Sequence, residues 1–249
     1  MSRISAVIIT FNESNNIARC IRSLSGIADE IIVSDSYSTD DTVKIAAELG
    51  AKVILHRFSG YGATKNNAND HAQYDWILSV DADEEPDEQL SQSIARIKKE
   101  LPANTVYEFQ RLNNYCGKWI KHGGWYPDKK VRLFNRTQVK WNLAEVHETL
   151  EIPTDLKRVL LEGKLLHYSY ASETQHLSKV ENYSTRGAEE AKKKGKHASF
   201  IKLYLSPSFR FLRDYIFKLG FLDGYYGFSI ARITAKEVYL KYKKLKAMT

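Results

Sequence analysis

Trp76-Ile77-Leu78-Ser79-Val80-Asp81-Ala82-Asp83 is the stretch whose reading decides the fold. An apolar run of strand length ending in two carboxylates one residue apart reads as a buried strand that leaves the core at a polar site. In extended chain, residues i and i+2 point the same way. Asp81 and Asp83 can therefore converge on one hard cation, Mg²⁺ or Mn²⁺, with phosphate oxygens completing its shell. An acidic triplet in isolation is more often a solvated turn, so its setting has to carry the argument.

Upstream, Ile4-Ser5-Ala6-Val7-Ile8-Ile9-Thr10 is a β-branched run of the kind buried on both faces of a parallel sheet. A helix is expected next, capped by Ser14 or Asn15, with Ile17, Cys20, Ile21 and Leu24 at helical spacing and Gly26 as its stop. Ile31-Ile32-Val33 predicts a second strand ending at Ser34-Asp35. Ser38 or Thr39 would cap a second helix with Val43, Ala46, Ala47 and Leu49 inward and Gly50 at its end. Lys52-Val53-Ile54-Leu55 predicts a third strand, 62–72 a third helix, and Trp76 to Val80 the fourth strand. Such a βαβαβαβ series implies an open α/β sheet with right-handed crossovers. Ligands bind outside the carboxyl ends of the strands in these sheets, and the polar clusters Thr10-Phe11-Asn12-Glu13, Ser34-Asp35-Ser36 and Asp81-Ala82-Asp83 all fall there.

Downstream, Pro86 is placed to open a helix at its N1 position, with Leu90, Ile94, Ile97 and Leu101 on its inner side, and Glu84 and Glu85 are expected in solvent. Strands are expected over 105–111 and 129–134, bracketing a Gly- and Trp-rich loop over 115–128. Long aromatic loops usually bind something. From about Ser172 the pattern turns helical and basic. The expected organisation is thus a catalytic domain over 1–171 and a basic amphipathic helical extension over 172–249.

At 249 residues and 43% hydrophobic content the chain can fill a sizeable core, and disorder is not expected. Cys20 and Cys116 form no CxxC or Cys/His pattern, which argues against a disulfide framework or structural zinc. No signal-peptide pattern is visible, so the cytoplasm, with contact at the inner face of the cytoplasmic membrane, is the expected location. The net charge of +7 suits nucleic acid, an anionic membrane or a phosphorylated substrate. A nucleic-acid module would account for the basic C-terminal part and leave the strand-end clusters unexplained, so no nucleic-acid partner is expected. A phosphatase with an Asp-x-Asp nucleophile usually has Thr or Val two residues after the second Asp, where this chain has Glu85.

Taken in order, Val7 to Glu13, Asp35-Ser36-Tyr37-Ser38-Thr39-Asp40-Asp41-Thr42 and Asp81-Ala82-Asp83-Glu84 resemble the successive motifs of the family-2 glycosyltransferases, which have the GT-A fold. Gly124-Trp125-Tyr126-Pro127-Asp128, Arg132-Leu133-Phe134, Val146-His147-Glu148 and Gly220-Phe221-Leu222-Asp223-Gly224 extend the resemblance to the lipopolysaccharide-core glucosyltransferases, over essentially the whole chain. Lys65-Asn66-Asn67 stands where relatives vary among Lys, Gln, Arg and Asn.

The resemblance implies a Rossmann-like GT-A domain with a mixed, mostly parallel sheet. It also implies inverting transfer of a hexose, glucose expected, from a UDP-sugar or similar donor to a glycolipid hydroxyl. Polyprenyl phosphate or a protein side chain is the alternative acceptor. Thr10, Asn12, Glu13, Asp35, Asp81 and Ala82 would hold the nucleoside, and Lys65 the diphosphate. Carboxylates and amides suit uracil N–H and ribose hydroxyls. Asn12 and Glu13 are equally suited to capping the first helix. Asp83 would ligate Mg²⁺ or Mn²⁺, with Asp81 reaching the ribose or a metal-bound water. His167 is either a further metal ligand or a core residue.

An inverting displacement needs a base near the acceptor hydroxyl. Glu148 occupies the family's catalytic position, and Asp128 is its rival. His147 would orient the acceptor. Arg132 is a phosphate or acceptor contact, or a strand-edge ion pair. Trp125, with Trp119 and Tyr126, would stack on sugar rings or anchor the loop. In the basic segment, Phe209, Phe211, Leu212, Tyr215 and Ile216 alternate with Arg210, Arg213 and Lys218, a pattern of helices that lie in an anionic membrane interface and equally of helices packed on a domain.

Overall fold

A computed structural model of the chain describes residues 1–143 and 148–248. The elements run β1 (Ile4–Thr10), α1 (Ile17–Leu24), β2 (Glu30–Asp35), α2 (Thr42–Glu48), β3 (Lys52–Leu55), α3 (Tyr61–Asp70), β4 (Trp76–Asp81) and β5 (Glu84–Pro86). They continue with α4 (Glu88–Ile97), β6 (Thr105–Tyr115), β7 (Lys118–Ile120), β8 (Asp128–Asn135), β9 (Lys140–Trp141), β10 (Leu150–Glu151) and β11 (Lys157–Tyr170). The C-terminal part holds α5 (Glu173–Lys193), α6 (Ser206–Leu212) and α7 (Gly224–Ala247), with π-helical turns at Ile201–Leu205 and Arg213–Phe217 flanking α6. Two compact units result, Met1–Arg111 with Lys129–His167, and Leu112–Asp128 with Tyr168–Thr249.

In the first unit the strand order is β3-β2-β1-β4-β8-β6-β11-β5. β1, β2, β3 and β4 pair in parallel, while β8 joins β4 and β5 joins β11 antiparallel. β1 sets Ile4, Ala6 and Ile8 into one core with Cys20, Leu24 and Ile94, and Val7 into the opposite core with Ile32, Ile77 and Phe134. Period-2 alternation with both faces apolar is what a sheet covered on both sides requires. The register Thr10↔Asp35 and Ile9↔Asp81 brings three strand ends to one edge.

Several helix starts differ from expectation, each for a local reason. α1 begins at Ile17 after Asn16, without a side-chain cap. α2 begins at Thr42, because Ser38 and Thr39 are taken up by the neighbouring loop: the Asn12 N–H donates to Ser38 Oγ (2.7 Å) and the Thr39 N–H to Asn12 Oδ1 (2.8 Å). Pro86 ends β5 rather than opening α4. Asp87 caps α4 instead, accepting the Leu90 N–H at 2.7 Å. Gly163 on β11, at φ +98°, sits so close that a Cβ would lie 2.1 Å from the Leu90 nitrogen. Only glycine meets both demands.

The second unit is organised by Tyr115, fully buried at the end of β6, with the rings of Trp125, Tyr170, His176 and Tyr226 at 5.4–6.3 Å. α5 and α7 pack through Ala188, Ala191 and Leu245, and Lys244 Nζ donates to Ser184 Oγ (2.9 Å) and Thr185 Oγ1 (2.7 Å).

Candidate active site

At the first strand end, Asn12 takes a left-handed conformation (φ 54°) and its side chain accepts from Thr39. Glu13 accepts from Asn16 Nδ2 at 2.7 Å. Both side chains thus serve the turn into α1. Asp35 is fully buried and accepts from the Ser38 N–H (2.7 Å) and Ser38 Oγ (2.5 Å). Thr10 Oγ1 is buried and has no partner among the described residues. Phe11 and Tyr37, more than half exposed beside Asn12 and Asp35, offer ring faces the sequence reading did not single out. The available signal was an aromatic ring inside each of two polar strand-end motifs, 10–13 and 35–42.

At the second strand end, Asp81 Oδ2 accepts from Arg132 Nη2 (2.8 Å), and Asp81 Oδ1 lies 3.4 Å from Lys65 Nζ. Desolvation alone would raise the Asp81 pKa. The charges of Arg132 and Lys65 outweigh it and hold the carboxyl far below the usual range. Glu84 is 1% exposed, against the expectation of a solvated group. Its Oε1 accepts from Arg132 Nη2 (2.5 Å) and Arg111 Nη1 (3.3 Å), and its Oε2 from the Asp81 N–H (3.1 Å). A buried carboxylate needs such partners. Glu85, also expected in solvent, lies 3.7 Å from Arg19 Nε and is largely covered. Arg132 is 3% exposed on β8 and, whatever else it contacts, is the cation shared by Asp81 and Glu84.

Asp83 Oδ2 lies 3.2 Å from His167 Nε2, because β11 pairs His167 directly opposite Glu84. Ala82 is buried between the two aspartates and packs in the core. No group of three or more His, Cys, Asp or Glu suited to a metal occurs among the described residues. The Asp83–His167 pair supplies two donors of the right chemistry, a set that fits a divalent cation only if ligand or water oxygens complete its shell.

Lys65 is 4% exposed, with Nζ 3.2 Å from Glu148 Oε1 and 4.4 Å over the Trp141 ring. One cation therefore links Asp81 to Glu148. The approach depends on Gly62, where a Cβ would lie 1.9 Å from the Asn142 carbonyl oxygen. It is fixed by Asn66, whose amide donates to the Trp141 carbonyl (2.8 Å) and accepts the Trp141 N–H (3.0 Å). His147 lies outside the described residues. Asp128 and Trp125 belong to the second unit, where Trp125 packs 5.6 Å from Tyr115 and 5.9 Å from Tyr170, its carbonyl accepting from Asn113 Nδ2 at 3.0 Å. Trp119 meets Tyr168 edge-on at 5.4 Å.

A mixed sheet with acidic and amide groups gathered at the carboxyl ends of its parallel strands β1, β2 and β4 is the arrangement of an α/β enzyme domain. Residues 5–149 match glycosyl transferase family 2, and the chain belongs to that family, with its GT-A fold and glycosyltransferase activity. An uncharacterized glycosyltransferase of Rickettsia typhi is 34% identical over 258 residues, covering 100% of this chain and 88% of its own. The lipopolysaccharide core biosynthesis glycosyltransferase LpsC of Rhizobium meliloti is 27% identical, covering 96% of this chain and 93% of its own. Among solved structures, S. aureus TarS 1-349 in complex with UDP is similar at 17% identity, covering 97% of this chain and 91% of that one, with a TM-score of 0.48.

Proposed function

We propose that the protein transfers a hexose, glucose in the first instance, with inversion from a uridine diphosphate sugar to a hydroxyl of a lipopolysaccharide-core or related glycolipid. The observation that carries this is the gathering of Asp35, Asp81, Asp83, His167, Lys65 and Glu148 around one sheet edge. The similarity to LpsC supports the acceptor class.

Thr10, Asn12, Glu13, Asp35 and Ala82 line the nucleoside end, with Phe11 and Tyr37 as faces for the base. Asp83 and His167 would hold Mg²⁺ or Mn²⁺, which supplies Lewis acidity for the departing diphosphate. Asp81, kept ionised by Arg132 and Lys65, is available to ribose hydroxyls. Glu148 takes the acceptor proton as the new glycosidic bond forms, its Oε1 held 3.2 Å from the Lys65 ammonium. Asp128 is the competing base, and Trp125, Arg132 and His147 are the acceptor-side candidates. Transfer to polyprenyl phosphate or protein is the second reading.

Glu148→Gln should lower kcat by ~10²–10⁴-fold and leave UDP affinity, measured calorimetrically with and without Mn²⁺, unchanged. Near-normal turnover in that variant removes Glu148 from the role. UDP binding indifferent to Mn²⁺ removes the metal from the donor site.

A further inference from the structure

The helical segment over 200–217 leaves many of its large apolar side chains in solvent. Phe200, Phe209 and Phe217 are 75%, 61% and 72% exposed, and Ile201, Leu205, Phe209 and Leu212 recur at three- and four-residue spacing with all four exposed. The covered side is mixed: Leu203 is buried, the rings of Phe211 and Tyr215 pack on Phe228, and an acid lies among them. Asp214 is buried, accepting from Arg210 Nε (2.5 Å) and Arg213 Nε (2.8 Å). In a helix covered by its own domain the apolar side faces the core. A run of exposed aromatic and aliphatic side chains of this extent marks a contact surface.

We propose that this outward face docks in the interface of a bilayer leaflet rich in anionic lipid. Lys202 lies within the segment and Lys218 ends it. Lys192, Lys193, Lys194 and Lys196 precede it, and all four are exposed. Aromatic residues interleaved with lysines combine insertion below the headgroups with attraction to anionic ones. A second copy on the same face would set its cations against themselves across a two-fold axis, whereas an anionic leaflet complements them. No described helix is long and apolar enough to cross a membrane, so the segment lies along the surface.

The docking face is tied to the loop that carries Trp125. Gly123 N–H donates to the Lys218 carbonyl (2.8 Å), and the buried Asp223 carboxylate accepts the backbone N–H groups of Lys121 (3.1 Å) and His122 (2.8 Å). Gly220 packs so tightly that a Cβ would lie 2.5 Å from the Asp214 carbonyl oxygen. Docking holds this loop at the lipid surface, where a lipid-borne acceptor is presented. That last step rests on the acceptor reading above, and the docking does not.

The full chain should co-sediment with phosphatidylcholine–phosphatidylglycerol vesicles, less so as salt is raised, and weakly with phosphatidylcholine alone. Replacing Phe200, Phe209 and Phe217 together by serine should cut partitioning by at least about 10-fold, with the melting temperature unchanged because all three are exposed. The double variant Lys202→Glu, Lys218→Glu should lose only the preference for the anionic vesicles. Equal recovery without vesicles overturns the proposal. So does a dimer in analytical ultracentrifugation that the triple serine variant converts to monomer, since a second copy then covers the face. UDP calorimetry on the same preparations tests the donor site separately.

Discussion

Both units bury acids, Asp214 and Asp223 in the second among them, but they differ in where they leave their apolar surface. In the first, charge is taken inside: Glu84, Arg132 and Lys65 are almost fully buried, and each is matched by an opposite charge within 3.5 Å. In the second, the interior around Tyr115 is a nest of rings, and much of the apolar surface is left outside on the segment over 200–217. Burying ions gains little over burying hydrocarbon, so stability alone does not account for an interior ion network. Leaving large apolar groups in water is likewise unfavourable, so the exposed face points to a partner. The lesson is to look where each unit departs from the cheaper arrangement.

The sharpest way to break that contrast is Glu84→Ala. It leaves Arg132 with Asp81 alone and takes the Glu84 carboxylate from Arg111, and losing one member of a buried ion network costs about 3–5 kcal/mol. Urea denaturation should show the midpoint falling accordingly, with Glu84→Gln in between. A wild-type midpoint would mean that the interior charges contribute nothing to stability.

The second unit answers to pH instead. Burial lowers the His176 pKa from 6.5 to about 4. Because the folded state resists protonation and the unfolded state does not, stability from the neutral ring is complete above pH 6.5 and is lost as pH falls through that window to about 4. The loss is at most about 3 kcal/mol. Melting temperatures recorded across this range should drop, and His176→Phe, which keeps a ring against Tyr170, should flatten the slope. An unchanged slope would place the responsible group elsewhere.

Smallest is the cap of α4. Asp87→Ala removes the acceptor for the Leu90 N–H and should cost about 1 kcal/mol, read as a shift in the urea midpoint with no change in vesicle partitioning.

The β1-to-β4 series was legible because it rests on local periodicity. Ile17, Cys20, Ile21 and Leu24, spaced for one helix face, are all buried on α1. The burial of Glu84 was not legible, since its partners lie 27 and 48 residues away and no local pattern reports such a pairing. A hint was present in Val131-Arg132-Leu133-Phe134, where an arginine inside an apolar strand requires a buried acid. The candidate site residues followed the same division. Asp35, Asp81 and Asp83 could be placed from their strands, whereas the link from Asp81 through Lys65 to Glu148 depends on the hairpin of β9 and β10, two strands of two residues each that leave almost no sequence signature. The role of Leu112–Asp128 within the second unit was equally hidden, because its grip on Asp223 spans about a hundred residues.

Helix α3 buries Gly62, Thr64, Lys65, Ala68 and Asn69, a set with too little hydrocarbon to set its rotational phase. A helix turns about 100° per residue, so a small roll would swing the Lys65 ammonium off the bearing that links Asp81 and Glu148. The paired hydrogen bonds between Asn66 and the Trp141 backbone act as a keyway against that roll. The aim of one ammonium is thereby set by the amide that follows it in the chain.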